Sequence, residues 1–433
     1  MRFSGLAKRI HQRFVARTAE TGFVRWLMQP SSARYFRYLP PLPRSITSHL
    51  GTEPPLGPRS LTIPDLPPRL RTSPGIPRDP AAEEAAFQDG PIQRWTQLHT
   101  EATEFILHHS WFTRMLNLPG RVRYSRLVAK PVRRGAGAPA VTFDDAELTR
   151  HMKEKAAQLG LSAIGVARYD PKYVYAPFLA ERDGGRVIVC ILEQNWKATQ
   201  TIPSVLAERA HNNTYERLIT MADQLAEDLR DRGYAARPGD PDGRGIYIHY
   251  AVEAGLGQLG LNGQLLTPFA GSRCRISIIW TDAPLELDSP VDYGVPAVCD
   301  SCKACVRRCP TGAIRSKRSM HRGVYKAKIK IERCLPMVAQ VDGCAICMKV
   351  CPVQRYGLPA VIDHYTSTGK ILGSGTDELE GYTWPVDGRH YGPGEKPKSA
   401  VSDEMLKPRT LIFDPKRKLP ATAIGDDVFR TSY

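Results

Sequence analysis

The sequence predicts a mixed α/β (α+β) domain followed by a small cysteine-rich module. Segments with helical and strand periodicity alternate between residues 142 and 290, and eight of the ten cysteines lie between residues 299 and 351. A chain of 433 residues with 42% hydrophobic content has enough apolar surface for such a core. It contains no run of 18 uncharged apolar residues, so we predict no membrane-spanning helix and expect a cytoplasmic protein.

Residues 1–140 form the first predicted region. Residues 1–28 carry six Arg or Lys and one acid with near-helical apolar spacing, which suits a membrane surface, a transit peptide or a helix docked on protein. The 13 prolines between Pro30 and Pro80 predict an extended Pro-rich N-terminal arm. A helix is predicted from Trp95 to Leu118.

Residues 141–292 form the predicted core. Strands are predicted at Ser162–Tyr169, Arg186–Glu193 and Arg275–Thr281, and helices at 142–159, Thr214–Arg232 and Tyr250–Leu256. The third helix overlaps a run punctuated by glycines, AGLGQLGLNG, at 254–263.

The cysteines repeat one motif. A C-x2-C-x2-C-x3-C-P run is followed by a degenerate copy with a longer first gap, which is the spacing of bacterial ferredoxins with two 4Fe-4S clusters. Because the fourth cysteine of such a run reaches the other cluster, one cluster is predicted to take Cys299, Cys302, Cys305 and Cys351, and the other Cys309, Cys334, Cys344 and Cys347. Paired zinc sites are the alternative, but zinc does not require the x3-Cys-Pro element twice.

The module is predicted to span 293–362, and an irregular C-terminal tail 363–433. Cys190 and Cys274 lie outside the motifs and are predicted to be buried structural thiols. The net charge of +16 suits an acidic electron donor such as a ferredoxin or flavodoxin, and also suits nucleic acid.

The block from about 148 to 356 resembles the corrinoid-dependent reductive dehalogenases and the related epoxyqueuosine reductases. The likeness rests on LRDRGYAA (229–236), on the segment 254–294 with its Gly-Leu-Gly, Leu-Leu-Thr-Pro and Arg-x-Arg elements, and on GCAICMKVCP (343–352). The resemblance implies a cobalamin-binding core with a two-4Fe-4S ferredoxin-like module, and reduction of a small organic substrate that need not be halogenated.

The resemblance also implies roles for particular residues. Tyr215 matches the family's proton donor, and Arg273 or Arg275 its cationic helper, since a nearby cation favours the phenolate. The glycine-rich segment would let backbone approach the corrinoid, with the residues Gly255, Gly257, Gly260, Asn262, Gly263 and Thr267. A tight turn in an ordinary fold is the alternative explanation of the glycines.

Three functions remain open on the sequence. The first is a dehalogenase-like reductase. The second is a tRNA-modifying reductase of the epoxyqueuosine type, although Thr214-Tyr215-Glu216 stands where that family has Asp-Tyr-His. The third is a two-cluster electron carrier that binds no corrinoid.

Overall fold

The computed structural model describes residues 144–174, 184–239, 245–321, 324–330, 333–334, 337–338, 344–384 and 387–397. The predicted basic helix, the Pro-rich arm, the helix Trp95–Leu118 and the tail beyond 397 lie outside these residues. Within the described ranges, no helix combines the length and the apolar character needed to cross a bilayer.

The core alternates helices and strands as the sequence predicts. Its elements are α1 (Asp145–Leu159), β1 (Ala163–Arg168), a 3-10 turn (Pro171–Tyr173), β2 (Arg186–Glu193), α2 (Trp196–Gln200), α3 (Val205–Asp231), β3 (Ala236–Pro238), α4 (Tyr247–Glu253), β4 (Gln258–Leu259), β5 (Leu265–Leu266) and β6 (Cys274–Thr281). Four strands form one sheet in the order β1-β2-β6-β3, and every neighbouring pair is antiparallel. The antiparallel pairing places the core in the α+β class.

The central strand β2 is buried on both faces. Val187, Val189 and Ile191 pack with the apolar residues of α4, while Ile188 and Cys190 pack with those of α1 and α3. Each of these five side chains is 0% exposed. Helices on both faces of the sheet therefore explain why this strand is an unbroken apolar run.

Two predicted helices begin earlier than expected. Helix α3 begins at Val205 and not at Thr214, because the Ser204 side chain caps it by accepting a hydrogen bond from the Ala207 amide at 3.1 Å. Tyr215 consequently lies in the interior of the helix and not at its start. Helix α4 begins at Tyr247, three residues before the predicted Tyr250.

The cysteine-rich module consists of short elements. They are α5 (Val295–Cys302), α6 (Ala304–Arg308), β7 (Ser319–His321), β8 (Val324–Lys326), α7 (Ile346–Lys349), α8 (Pro352–Tyr356), α9 (Leu358–Thr368), α10 (Asp377–Glu380), β9 (Tyr382–Thr383) and β10 (His390–Tyr391).

The described part of the predicted irregular tail has regular structure. Helix α9 crosses the expected boundary at 362/363, and α10 and the β9–β10 hairpin follow it. Leu379, Tyr382 and Tyr391 are buried, and the guanidinium of Arg308 donates hydrogen bonds to the carbonyls of Glu380 at 3.1 Å and Tyr391 at 3.0 Å. This segment therefore packs as a cover on the cysteine-rich module.

Candidate functional site

The first predicted cysteine set lines one recess. Cys299 and Cys302 lie on α5, Cys305 lies on α6, and Cys351 directly precedes α8. All four border one recess whose wall also includes Asn262 of the core. The structure thus brings together the four side chains that the motif assigns to one cluster.

The second predicted set adjoins the first. Cys309, Cys334 and Cys347 pack in one small apolar group with Ala313 and Ile314. Burial, followed by the neighbouring thiolates of Cys334, Cys309 and Cys351, raises the pKa of Cys347 above its usual range. Burial and the thiolates of Cys347 and Cys309 have the same effect on the pKa of Cys344. The two sets are therefore near neighbours, as electron transfer between two clusters requires.

The two motifs share an unusual backbone turn. Lys303 follows Cys302 with φ 51°, and Ala345 follows Cys344 with φ 42°. In the described part of the chain, these two are the non-glycine residues with positive φ. Left-handed backbone costs about 1 kcal/mol or more for an L-residue, and it is typically retained at functional sites. The repeated turn indicates that both motifs arrange their cysteines in the same way.

Burial makes free thiolates unfavourable in this module. It raises the pKa of Cys302 and of Cys351 to about 12. The thiolate form that binds metal therefore needs compensating positive charge, which the iron of a cluster supplies. Cys190 and Cys274 are buried as predicted, and burial raises the pKa of each to about 12.

Tyr215 meets one of its two predicted partners. The guanidinium carbon of Arg275 lies 5.5 Å from the centroid of the Tyr215 ring. Strand β6 and helix α3 position the pair, and the Tyr215 side chain is half-buried. The His211 ring, one helical turn earlier, lies 5.0 Å from that of Tyr215.

Arg273 has a different environment. It is 1% exposed and its Nη1 lies 3.1 Å from Oε2 of buried Glu193, while the same nitrogen donates a hydrogen bond to the Gln194 carbonyl at 2.7 Å. This buried ion pair ties the loop before β6 to the end of β2. Of the two predicted helpers, Arg275 is the one stacked on Tyr215.

Gln194 was not predicted from the sequence, and it connects the Tyr215 site to the cysteine-rich module. Its side chain accepts a hydrogen bond from Arg275 Nη2 at 2.6 Å and donates one to Thr199 of α2 at 3.0 Å. The Trp196 indole, also on α2, donates to the Arg355 carbonyl of α8 at 3.3 Å, and the Arg355 guanidinium lies 4.5 Å from the Trp196 ring. The available signal was a run of polar residues, Glu-Gln-Asn, directly after an apolar strand.

The predicted glycines are explained first by packing within the chain. A Cβ would approach the Ser289 carbonyl at Gly255, the Leu266 carbonyl at Gly257, the Asn262 side chain at Gly260 and the Ile329 side chain at Gly263, all within 2.9 Å. These contacts agree with the alternative reading of a tight turn. Their contact with a corrinoid stays a prediction.

Asn262 and Thr267 hold the same segment together. Asn262 is 2% exposed and its amide donates to the Ser272 hydroxyl at 3.3 Å. The Thr267 hydroxyl is fully buried and bonds within its own loop, to the Gly271 carbonyl at 3.2 Å. Asn262 also lines the recess of the first cysteine set, and its contact with a corrinoid stays a prediction.

The fold and the cysteines define an α+β core joined to an iron–sulfur module. Residues 298–355 match the family model of the 4Fe-4S dicluster domain, and this range includes all eight motif cysteines. The match favours iron–sulfur clusters over paired zinc sites.

The likeness to known relatives extends over more residues than the dicluster domain. The tetrachloroethene reductive dehalogenase of Sulfurospirillum multivorans is 30% identical over 262 residues, which are 50% of this chain and 52% of that protein. The epoxyqueuosine reductase of Lactococcus garvieae is 31% identical over 163 residues, 34% of this chain and 42% of that protein. These relatives confirm the resemblance indicated by the motifs, and the chain spans about half the length of the curated relatives it matches.

A solved structure has the same fold. It is a reductive dehalogenase for which a mechanism of B12-dependent dehalogenation was inferred. The superposed region covers 73% of this chain and 48% of the solved chain, with a TM-score of 0.53 and 20% sequence identity. At this identity, the likeness concerns the fold alone.

Proposed function

We propose that the protein is a corrinoid-dependent reductase of the reductive dehalogenase type. The stacking of Arg275 on Tyr215, in a network that leads through Gln194 and α2 to the helix after Cys351, carries the proposal. This network supports the proposal because it links the candidate proton donor Tyr215 to the helix that follows a predicted cluster ligand. Named relatives with this core reduce tetrachloroethene, and they support the same class of reaction here.

Polar residues beside Tyr215 and on α2 fit a large polar cofactor. Within the described ranges, the buried atoms Arg275 Nε and Gln200 Oε1 have no hydrogen-bond partner. The amide-rich rim of a corrinoid has donors and acceptors that match such atoms. A bound corrinoid supplies a cobalt centre that accepts electrons and reduces a carbon–halogen bond.

The surroundings of the two cysteine sets support one direction for electron transfer. The recess of the first set shares its wall with Leu261 and Asn262 of the core, whereas three cysteines of the second set, Cys309, Cys334 and Cys347, pack with Ala313 and Ile314 of the module itself. With both clusters bound, electrons from an acidic donor such as a ferredoxin or flavodoxin would enter at the second cysteine set and leave from the first. A cytoplasmic location stays a prediction.

The protein groups have separate tasks in this reaction. The Tyr215 hydroxyl gives one proton to the substrate carbon, and the Arg275 cation stabilises the negative charge left on the phenol oxygen. Two electrons and this proton replace the halogen by hydrogen and release halide. Gln194 positions Arg275 through the 2.6 Å hydrogen bond, so it acts as a positioning residue.

Metal content of the anaerobically produced protein tests the proposal. We expect about eight iron and one cobalt per chain when the host cells are supplied with cobalamin. Tyr215→Phe should keep both metals and lose turnover of a halogenated substrate, while the control Tyr234→Phe, which removes a phenol on the same sheet face away from Arg275, should keep it. Full iron without cobalt after reconstitution would instead indicate a two-cluster electron carrier.

A tRNA-modifying reductase is the second candidate, because an epoxyqueuosine reductase matches the same core. Against it, Thr214 stands where that family has an acidic residue, is fully buried, and donates its hydroxyl to the Ala210 carbonyl at 2.6 Å. It cannot act as the acid. Salt-sensitive retention of tRNA in a gel shift, together with activity on epoxyqueuosine, would favour this candidate.

A further inference from the structure

The stretch between Cys309 and Cys334 is strongly basic. Its 24 residues include eight Lys or Arg and one Glu. Strands β7 and β8 form an antiparallel hairpin within it, and Met320 lies directly opposite Tyr325. Both flanking cysteines belong to the second predicted set, so the chain on either side of the hairpin leads to that set.

The inner face of the hairpin is fixed to the protein. Val324 is 1% exposed and packs in the apolar cluster beneath α4. Ile329, just beyond β8, packs with Cys309 and Cys334, and the Lys330 amide donates to the Ala313 carbonyl at 2.9 Å. The hairpin therefore connects the core to the second cysteine set as a fixed unit.

The outer face is apolar, and basic residues precede and follow it along the chain. Met320 is 49% exposed and Tyr325 is 41% exposed, which makes them two of the three exposed large hydrophobic residues in the described part of the chain. Lys317, three residues before Met320 in the sequence, is also exposed. An exposed Met–Tyr pair is unusual for a free surface and is typical of a contact site, since methionine adapts to different partners.

The local potential is positive. Burial, followed by the charges of Lys328, Arg315 and Lys326, lowers the pKa of His321 to about 4. Asp300 is the acidic neighbour, and it pairs with Arg318. The positive field therefore extends over the hairpin and attracts acidic proteins from solution.

We propose that the β7–β8 hairpin is the docking surface for a small acidic electron-carrier protein, which delivers electrons to the second cluster. The inference rests on the proposed function only in requiring that the second cysteine set holds a cluster. A basic rim with an apolar centre suits a transient redox complex, where charge steers the encounter and a small contact allows fast release. The position beside the second cluster favours a protein carrier over nucleic acid.

Cluster reduction by flavodoxin hydroquinone tests the surface without corrinoid or substrate. Each flavodoxin gives up one electron and the cluster gains it, and anaerobic stopped-flow absorbance follows the transfer. We expect Lys317→Glu/Lys326→Glu to slow the second-order rate constant by about tenfold or more at low ionic strength, with a smaller difference at high salt. Met320→Ser/Tyr325→Ser should weaken flavodoxin binding while the salt dependence stays.

Two controls make the result specific. The methyl viologen radical cation needs no docking surface, so it should reduce the clusters of every variant at least as fast as those of the wild type. Arg150→Glu/Lys155→Glu makes the same change of charge on α1, which packs on the opposite face of the sheet. The proposal would be refuted if flavodoxin reduced the clusters of Lys317→Glu/Lys326→Glu as fast as those of the wild type. It would also be refuted if the two charge variants lost the same fraction of the second-order rate constant. Binding of tRNA at the hairpin with unchanged flavodoxin rates would also refute it, in favour of nucleic acid.

Discussion

Substitution by Met should chiefly lower the stability of the fold at Arg273 and chiefly lower turnover at Arg275. Arg273→Met removes the partner of Glu193, whose side chain is 6% exposed, and leaves a buried carboxylate without its cation. Breaking a buried pair in this way costs about 3–5 kcal/mol. Arg275→Met removes a hydrogen bond to Gln194 and the stacking on Tyr215 at a half-buried position, where a cost of about 1 kcal/mol is expected.

Urea unfolding followed by circular dichroism measures the difference. With a slope of about 2 kcal/mol per M, Arg273→Met should lower the unfolding midpoint by about 2 M and Arg275→Met by about 0.5 M. Turnover should show the reverse order once only folded protein is compared, because Arg275 faces Tyr215. Glu193→Leu/Arg273→Met serves as the control, since replacing both members of a buried pair is often nearly neutral.

Either of two results would refute this reasoning. Equal midpoints for the two arginine variants would mean that the pair with Glu193 does not stabilise the fold. A double variant as unstable as Arg273→Met alone would mean that the loss comes from the packing of the arginine stem and not from an unpaired charge.

Three further predictions concern the module. Cys351→Ser should reduce the iron content from about eight to about four atoms per chain by removing one cluster, and electron paramagnetic resonance of the reduced protein should then lose the coupling between two clusters. Gly271→Ala should destabilise the packing of core and module by about 1–3 kcal/mol, because φ there is 54° and the new Cβ would lie 2.6 Å from the backbone nitrogen of Gln354. The rate of amide hydrogen exchange in α8 should therefore rise. Arg308→Met removes hydrogen bonds to the carbonyls of Glu380 and Tyr391, costing on the order of 3 kcal/mol, and limited proteolysis should cut the cover segment faster.

The sequence predicted elements whose signal is local. Strand β2 has the predicted bounds Arg186–Glu193, and α1 ends at the predicted residue 159, where the cap residue Gly160 has φ 89°. Both depend on short patterns that packing does not override: an unbroken apolar run and a left-handed cap. The start of α3 was missed because the prediction followed the apolar stripe, while the boundary is set by the cap at Ser204.

The sequence could not separate the two arginines. The resemblance named either Arg273 or Arg275 as the helper of Tyr215, and the predicted strand Arg275–Thr281 left Arg273 without an assigned structure. The structure separates them because Arg273 precedes the strand, in a turn where its amide bonds the Ala270 carbonyl at 3.0 Å. Such a difference depends on where the strand begins, which sequence patterns define least well.

The recess for the first cluster has an implication for the assembly of the protein. Its wall is built jointly by cysteines of the module and by Leu261, Asn262 and Leu266 of the core. Neither part encloses the recess alone, so the site is complete only after the two parts have packed together. Iron must then be delivered to a chain that is already largely folded, and a chain arrested before that step presents its thiols to solvent and to oxidants.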